Sequence, residues 1–201
     1  DSDTVDNYEL GWKVDLLDGR LRFNGSAFYI EIEDLQTGIF DPSIANLFFV
    51  ENAANAEVKG LEGELTWAPE NLEGLTLSGA ISLLDTEITE VLIPTGDVSK
   101  GDELAFAPEF KGNLQARYQW DLSDGMQAHV MGNAAYSDTS YTDIITINRL
   151  ELDSWFLLGA TAGVSTEEWT AEVYADNLTD ETAELSGSFG YDVQSITVAR
   201  P

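Results

Sequence analysis

Two glutamates and one histidine are the residues in this sequence whose types and spacing could support acid–base chemistry. Glu62 and Glu64 stand two positions apart, and on a strand that spacing places both carboxylates on one face. His129 is the only histidine, and the Gly-x-Ser-x-Gly motif of a nucleophilic serine does not occur. We therefore expect no catalytic residue, and we expect these three side chains to line a polar surface.

Four carboxylates in one stretch could bind a hard cation through their oxygen atoms. They are Asp138, Asp143, Glu151 and Asp153, and their spacing is not that of an EF-hand. Cysteine is absent, which excludes a thiolate metal site, a disulfide framework and a cysteine nucleophile. We expect solvated acidic loops, no metal site and no cofactor, and the ligand-binding residues stay unassigned.

The charge balance excludes one class of partner. Among 201 residues, Lys and Arg number 9 against 37 Asp and Glu, which gives a formal net charge of -28. Nothing in this balance could neutralise the phosphates of a nucleic acid, so we expect no nucleic-acid partner. The length suits one domain, and 43% hydrophobic residues exclude a disordered chain. The acidity is compatible with exposed loops or with a surface that attracts cations.

Alternation of apolar and polar residues with a period of two is clearest from Phe110 to Tyr136. Two predicted strands flank the turn Ser123-Asp124-Gly125, and each is about ten residues long, the length of a tilted strand that crosses a bilayer. The face predicted to meet lipid consists of Leu114, Ala116, Tyr118, Val130 and Ala134. The face predicted to meet the interior consists of Lys111, Asn113, Arg117, His129 and Asn133.

The same period predicts strands along most of the chain. The further strands are Val5–Leu17, Leu21–Tyr29, Ala56–Ala68, Leu75–Leu83, Phe156–Val164 and Trp169–Asp176, with a last short alternation at Ile196 and Val198. The connections alternate strictly between short and long. Short turns lie near residues 18, 71, 124 and 167, and long loops are predicted at about 36–52, 87–107 and 138–153.

That alternation is typical of outer-membrane barrels, and a soluble Greek-key sandwich would not keep it in step with strand number. The aromatic residues form two predicted girdles, with Trp67, Trp120 and Trp169 beside the short turns and Tyr29, Tyr136 and Tyr141 near the long loops. We predict an all-β fold: an antiparallel up-and-down transmembrane β-barrel segment of about 8–9 strands, with short periplasmic turns and long extracellular loops.

Four stretches, in order, resemble the C-terminal part of a TonB-dependent outer-membrane receptor. They are DNYELGWKVDLLDGRLRFNGSAFYIEIEDLQ (Asp6 to Gln36), ENAANAEVKGLEGELTWAP (Glu51 to Pro69), LAFAPEFKGNLQARY (Leu104 to Tyr118) and EVYADNLTDE (Glu172 to Glu181). The resemblance implies a barrel of about 22 strands around an N-terminal plug domain, in the outer membrane of a Gram-negative bacterium. Such receptors import scarce ligands, among them siderophores, haem, cobalamin and oligosaccharides, with energy delivered by TonB.

The sequence departs from the complete family pattern at both ends. We expect these residues to include no plug, no TonB-contacting box and no final strand, and we expect residues 1–201 to be a single β-barrel segment of a receptor. The resemblance implies outer-membrane lipid, the remaining strands and plug of the same receptor, the TonB system and a small ligand as partners. The alternative is a β-sheet binding or structural module without transport activity, in which an excised segment self-associates or closes as a small barrel.

Overall fold

A computed structural model describes residues 2–41, 47–93, 97–123, 125–190 and 193–199. The strands are β1 (Thr4–Leu16), β2 (Leu21–Asp41), β3 (Leu47–Trp67), β4 (Leu75–Val91), β5 (Phe110–Asp121), β6 (Gln127–Ser137), β7 (Ser140–Tyr141), β8 (Glu151–Leu152), β9 (Trp155–Ser165), β10 (Thr170–Ala175), β11 (Glu184–Gly190) and β12 (Val193–Val198). Eight of them form one antiparallel sheet in the order β1-β2-β3-β4-β5-β6-β9-β10, while β7–β8 and β11–β12 form two small sheets. Within the described ranges, no helix has the length and apolarity that a membrane-spanning helix needs.

The short turns lie where the sequence predicts them, but the first one is longer than predicted. Leu16 pairs with Leu21, so four residues form the turn rather than the two-residue Asp18-Gly19 loop. Leu17, Asp18 and Gly19 all have positive φ, at 53°, 56° and 82°. Glycine adopts that region without steric cost and aspartate tolerates it, which suits a chain reversal at this position. In the predicted turn between β5 and β6, Asp124 lies outside the described residues.

The predicted long loop at residues 36–52 is wrong. β2 continues through Asp41, and β3 begins at Leu47 and pairs with β2 across this region, although Pro42 lies outside the described residues. β4 likewise extends to Val91, beyond the predicted end at Leu83. The strands continue because backbone pairing does not require alternation where both faces of a ribbon can meet water or a covering loop.

The last predicted alternation is a strand, but it does not extend the main sheet. Ile196 and Val198 lie in β12, which pairs with β11, a segment predicted to be a loop. The two strands form a hairpin that reaches the β7–β8 region, where the amide of Asp153 donates to the Glu184 carboxylate at 3.1 Å. The hairpin therefore belongs to the long-connection end of the molecule.

The register of the main sheet keeps the two predicted faces separate across all eight strands. Leu114 lies opposite Gly79 on β4 and Ala134 on β6, and Tyr118 lies opposite Leu75 and Val130. These apolar side chains are exposed, with 57% of Leu114 accessible. An apolar face that no protein element covers, on strands of this length, fits a lipid environment. We call it the outward face and its opposite the polar face.

On β1 and β2 the outward face changes from aromatic to acidic within one step along the strands. Tyr8 and Tyr29 pair and stack at 6.4 Å, and the segment from Tyr8 to Leu16 has the length of about nine residues that a spanning strand requires. The next row toward the long connections consists of four paired carboxylates, Asp6, Glu31, Glu57 and Glu87. Lys59 pairs with Tyr29 in the preceding row, and its ammonium, 3.0 Å from Glu57, lowers the pKa of that carboxyl by hydrogen bonding. The carboxylate row marks the outer limit of the apolar band.

The buried core lies beyond that limit, at the long-connection end. Its cluster consists of Ala53, Ala54, Ile88, Ile93, Val98, Ile144 and Ile145, with Leu35, Val91 and Leu104 packed against it. These residues come from the extended ends of β2, β3 and β4, with Ile93 just after β4, and from the connections 97–106 and 139–150. We call these two connections the cap. The connections are also joined by backbone hydrogen bonds, since the Thr146 amide donates to the Asp97 carbonyl at 2.7 Å.

Arg149 joins the two connections of the cap. Its guanidinium carbon lies 3.6 Å from the centre of the Tyr141 ring, and its Nη1 lies 3.6 Å from Asp102 Oδ2. Only 15% of the Arg149 side chain is exposed. The prediction that Tyr141 belongs to the outer girdle is therefore wrong: its ring packs beneath a cation within the cap, whereas Tyr29 and Tyr136 lie on the outward face.

The main sheet is open in the described residues. β1 pairs only with β2, and β10 pairs only with β9. The eight strands thus neither close as a small barrel nor divide into the two packed sheets that a self-associated module would have. The expected barrel segment is the architecture observed.

A charge on the outward face should be far more costly than one on the polar face. Ala116→Lys places an ammonium opposite Leu77, in the middle of the apolar band, and should reduce the free energy of unfolding by about 2–4 kcal/mol. The adjacent Gln115→Lys lies on the polar face and should change it by about 0.5 kcal/mol or less. Urea unfolding of protein folded into lipid vesicles measures both, and equal losses would contradict the assignment of the faces.

Removal of Arg149 should loosen the cap without affecting the spanning strands. Arg149→Ala removes a largely buried cation–π contact worth about 1–2 kcal/mol, so amide hydrogen exchange should accelerate in residues 97–106 and 139–150 and stay unchanged in β5 and β6. Arg149→Lys should give a smaller effect, and Lys100→Ala, at an exposed position of the cap, should give none. Faster exchange throughout the sheet after Arg149→Ala would show that the cap is not a separate unit.

Candidate functional site

A groove of about 860 Å³ opens along the polar face. It is lined chiefly by side chains from β1 to β5, among them Glu9, Lys13, Asn24, Glu62, Glu64, Lys111 and Asn113, with Trp155 from β9. Each of these polar residues alternates along its strand with a residue of the outward face. The groove therefore follows from the same period of two that produces the apolar band.

Glu62 and Glu64 lie in this groove, as the sequence predicts. Both are exposed, and each has a neutral partner on a neighbouring strand. Asn24 Nδ2 donates to Glu64 Oε1 at 2.6 Å, and Ser82 Oγ donates to Glu62 Oε1 at 3.4 Å. Carboxylates held by an amide and a hydroxyl are suited to accept hydrogen bonds from a polar ligand.

Cationic groups stand among these carboxylates. Lys13 and Lys111 line the groove, and Arg22 Nε donates to Asp15 Oδ1 at 2.8 Å nearer the short turns. Both members of that last pair are more than half exposed, so it contributes little to stability. The polar face therefore presents donors and acceptors of both signs, which suits hydrogen bonding to a polar solute.

His129 lies on the polar face, as predicted, but neighbouring strands bury it. Only 3% of its side chain is exposed, and its Nε2 lies 2.9 Å from Glu172 Oε1 without the alignment of a hydrogen bond. The ring covers Gly163, where an added Cβ would stand 2.6 Å from His129 Cε1. The glycine leaves room for the imidazole between β6 and β10. This burial depends on residues of two other strands, and no local sequence signal indicates it.

The four loop carboxylates do not form a cluster in the described residues. Asp138 Oδ1 accepts from the Thr139 amide at 3.0 Å, and Asp143 Oδ1 accepts from the Ile145 amide at 2.9 Å, so each orders its own turn. Across the described ranges, no group of three or more His, Cys, Asp or Glu side chains could hold a metal ion.

The cap lies on the same side of the sheet as the groove. Along β4 the polar face runs through Ser78, Ala80 and Ser82, and the same parity reaches Thr86 and Ile88. Both are covered by the cap: Thr86 Oγ1 accepts from the Leu104 amide at 3.0 Å, and Ile88 is fully buried. The long connections thus fold toward the polar face and away from the outward face. The sequence does not indicate this part of the site, since the residues that form it come from five separate segments.

An aromatic residue is presented by this cap. The Phe106 amide donates to the Tyr141 carbonyl at 2.7 Å, which ties the β4–β5 connection to the residue that Arg149 covers. More than half of the Phe106 side chain, 52%, is exposed. The site is therefore a polar groove in the wall of the sheet with a structured cap, carrying an exposed aromatic ring, at its far end.

Comparison with known proteins identifies the family of this architecture. The sequence profile described as "TonB dependent receptor-like, beta-barrel" matches residues 1–178. The Metal-pseudopaline receptor CntO of Pseudomonas aeruginosa is 32% identical over 113 residues, which are 56% of this chain and 14% of that protein. The chain therefore spans a small part of its curated relative.

Solved structures have the same fold. The ferric yersiniabactin uptake receptor FyuA from Yersinia pestis superposes with a TM-score of 0.77 at 20% identity, over 98% of this chain and 28% of that one. The siderophore receptor PiuA from Acinetobacter baumannii gives a TM-score of 0.73 at 21% identity, over 97% of this chain and 26% of that one.

These relatives are receptors and uptake proteins rather than enzymes, and the family resides in the outer membrane of Gram-negative bacteria. The alternating strands, the apolar outward face and the order of short and long connections agree with the profile match over most of the chain. The chain belongs to the TonB-dependent receptor β-barrel family and is a protein of the outer membrane.

Proposed function

We propose that residues 1–201 form one segment of the barrel wall of a receptor that imports a scarce small ligand, most specifically a metal chelate. The observation that carries the proposal is the family match over residues 1–178 on a sheet with an apolar outward face and a polar groove behind it. The names of three relatives, a metal-pseudopaline receptor, a ferric yersiniabactin uptake receptor and a siderophore receptor, support the chelate class over haem, cobalamin or oligosaccharides.

In this proposal each surface of the segment has its own partner. Lipid of the outer membrane covers Leu114, Tyr118 and the rest of the outward face. The polar face, with Glu62, Glu64 and Lys111, faces the interior of the barrel, where the plug domain of the receptor and the passing ligand offer hydrogen-bonding partners. TonB supplies the energy through the plug, so this segment itself acts as a wall and a selector and has no enzymatic activity.

Uptake by cells tests this function. Cells deleted for the receptor are complemented with the full receptor that contains this chain and are starved of metal. Radioactive iron and zinc are then supplied, each loaded into the chelators that metal-starved cultures of the source bacterium secrete. We expect uptake of at least one metal to depend on both the receptor and TonB.

Two controls make this result specific. Gln115→Lys, on the polar face away from lipid, should still give receptor in the outer membrane, and a strain without TonB should bind labelled chelate at its surface but accumulate none. Equal accumulation with and without the receptor, at normal surface amounts of the protein, would contradict the proposal.

A further inference from the structure

Phe106 has a backbone conformation that its side chain does not favour. Its φ is 56°, in the left-handed region. Outside the first turn, the other non-glycine residues with positive φ in the described ranges are Asp34, Asn177 and Asp180, residue types that tolerate this region by local hydrogen bonding. A phenylalanine there is strained, and such strain persists only where the surrounding structure enforces it and is concentrated at functional sites.

The cap enforces this conformation. The Phe106 amide is held by the Tyr141 carbonyl at 2.7 Å, and Tyr141 is itself held beneath Arg149. Two residues earlier, the Leu104 amide is held by Thr86 at 3.0 Å. These contacts use the backbone of residues 104 and 106, so asparagine or glycine at position 106 could make them without the strain. Folding of the cap therefore explains the backbone conformation of residue 106, but it does not explain why the side chain at this position is aromatic.

The place of Phe106 in the fold indicates which groups its ring can contact. Phe106 follows Leu104, which lies against the polar-face side of β4, whereas the girdle residues Tyr29 and Tyr136 lie on the outward face. The ring is more than half exposed, and its sequence neighbours Asp102, Glu103 and Glu109 are acidic. An exposed aromatic face attracts apolar and cationic groups and disfavours anionic ones.

We propose that Phe106 is a contact and specificity-determining residue for the imported ligand, and that it binds an apolar or cationic part of that ligand. This assignment rests on the proposed import function and goes beyond it, since it names one residue and the chemistry it selects. The cap holds the ring ready, so that no loop has to be ordered when the ligand arrives, which reduces the entropic cost of binding.

Three variants of the full receptor separate this role from a structural one. Phe106→Asn and Phe106→Gly remove the ring and relieve the strain, while Phe106→Tyr keeps an aromatic ring. With the chelator-loaded radioactive iron and zinc as probe, we expect the concentration for half-maximal uptake to rise about tenfold in the Asn and Gly variants and about twofold or less in the Tyr variant. The thermal unfolding midpoint of Phe106→Asn in detergent should equal or exceed that of the wild type.

Each other outcome overturns the assignment in a distinguishable way. Unchanged half-maximal concentration in Phe106→Asn would show that the ring does not contact ligand, while the import function would stand. A lower unfolding midpoint would make the ring a packing residue. A loss of receptor from the outer membrane, with unchanged half-maximal concentration in the receptor that remains, would make it a lipid anchor. Absence of uptake by the wild type would reject the import function together with this assignment.

Discussion

The interior of a membrane offers no water to the peptide groups of a chain, and the rest of this structure depends on that constraint. Within the span, each of the inner strands β2, β3, β4, β5, β6 and β9 bonds to a neighbour on both sides. A slip of one residue in any pair would exchange its two faces and carry residues such as Leu114 inward and Asn113 into lipid. One register therefore produces both the apolar band and the polar groove. A change of register that altered the groove would also disrupt the apolar band.

Beyond the carboxylate row the opposite constraint applies. Water is available to the peptide groups there, whereas apolar side chains have to be buried by other parts of the protein. The large apolar residues of the span, such as Leu114 and Val130, are exposed and depend on lipid. Beneath the cap Ile88 is buried by protein, and Ile144 and Ile145 are buried within it. The chain thus contains two separately stabilised parts, and the cap keeps a fixed geometry by its own packing. That fixed geometry is what allows a strained residue at position 106 to persist.

The spanning strands could be predicted from the sequence because lipid and lumen impose an uninterrupted alternation over a fixed length. The same alternation correctly placed Glu62, Glu64 and His129 on the polar face. The alternation did not predict the strands beyond the membrane span, where lipid and lumen no longer impose it. The β2–β3 extension and the β11–β12 hairpin are held by pairing partners that the local sequence does not identify.

The packing of the cap and the environment of single residues were also not predictable. Tyr141 has the sequence context of a girdle residue. Only the folded structure, in which Arg149 covers its ring, shows that it is not a girdle residue. Burial of His129 depends on Gly163 and Glu172, which lie on two other strands. The left-handed φ of Phe106 opposes its intrinsic preference, so propensity indicates the wrong conformation at the position that matters most for the proposed ligand contact.

The two edges of the sheet restrict how a complete wall can be built around this segment. The outer edges of β1 and β10 have no partner in the described residues, and an unpaired peptide group in hydrocarbon costs on the order of several kcal/mol. β1 runs toward the short turns and β10 runs away from them, because the eight strands alternate in direction. A strand added beside β10 must again run toward the short turns, and the last strand before β1 must run away from them. Any set of strands that closes this sheet in an up-and-down arrangement therefore contains an even number, so the complete barrel is also even-stranded.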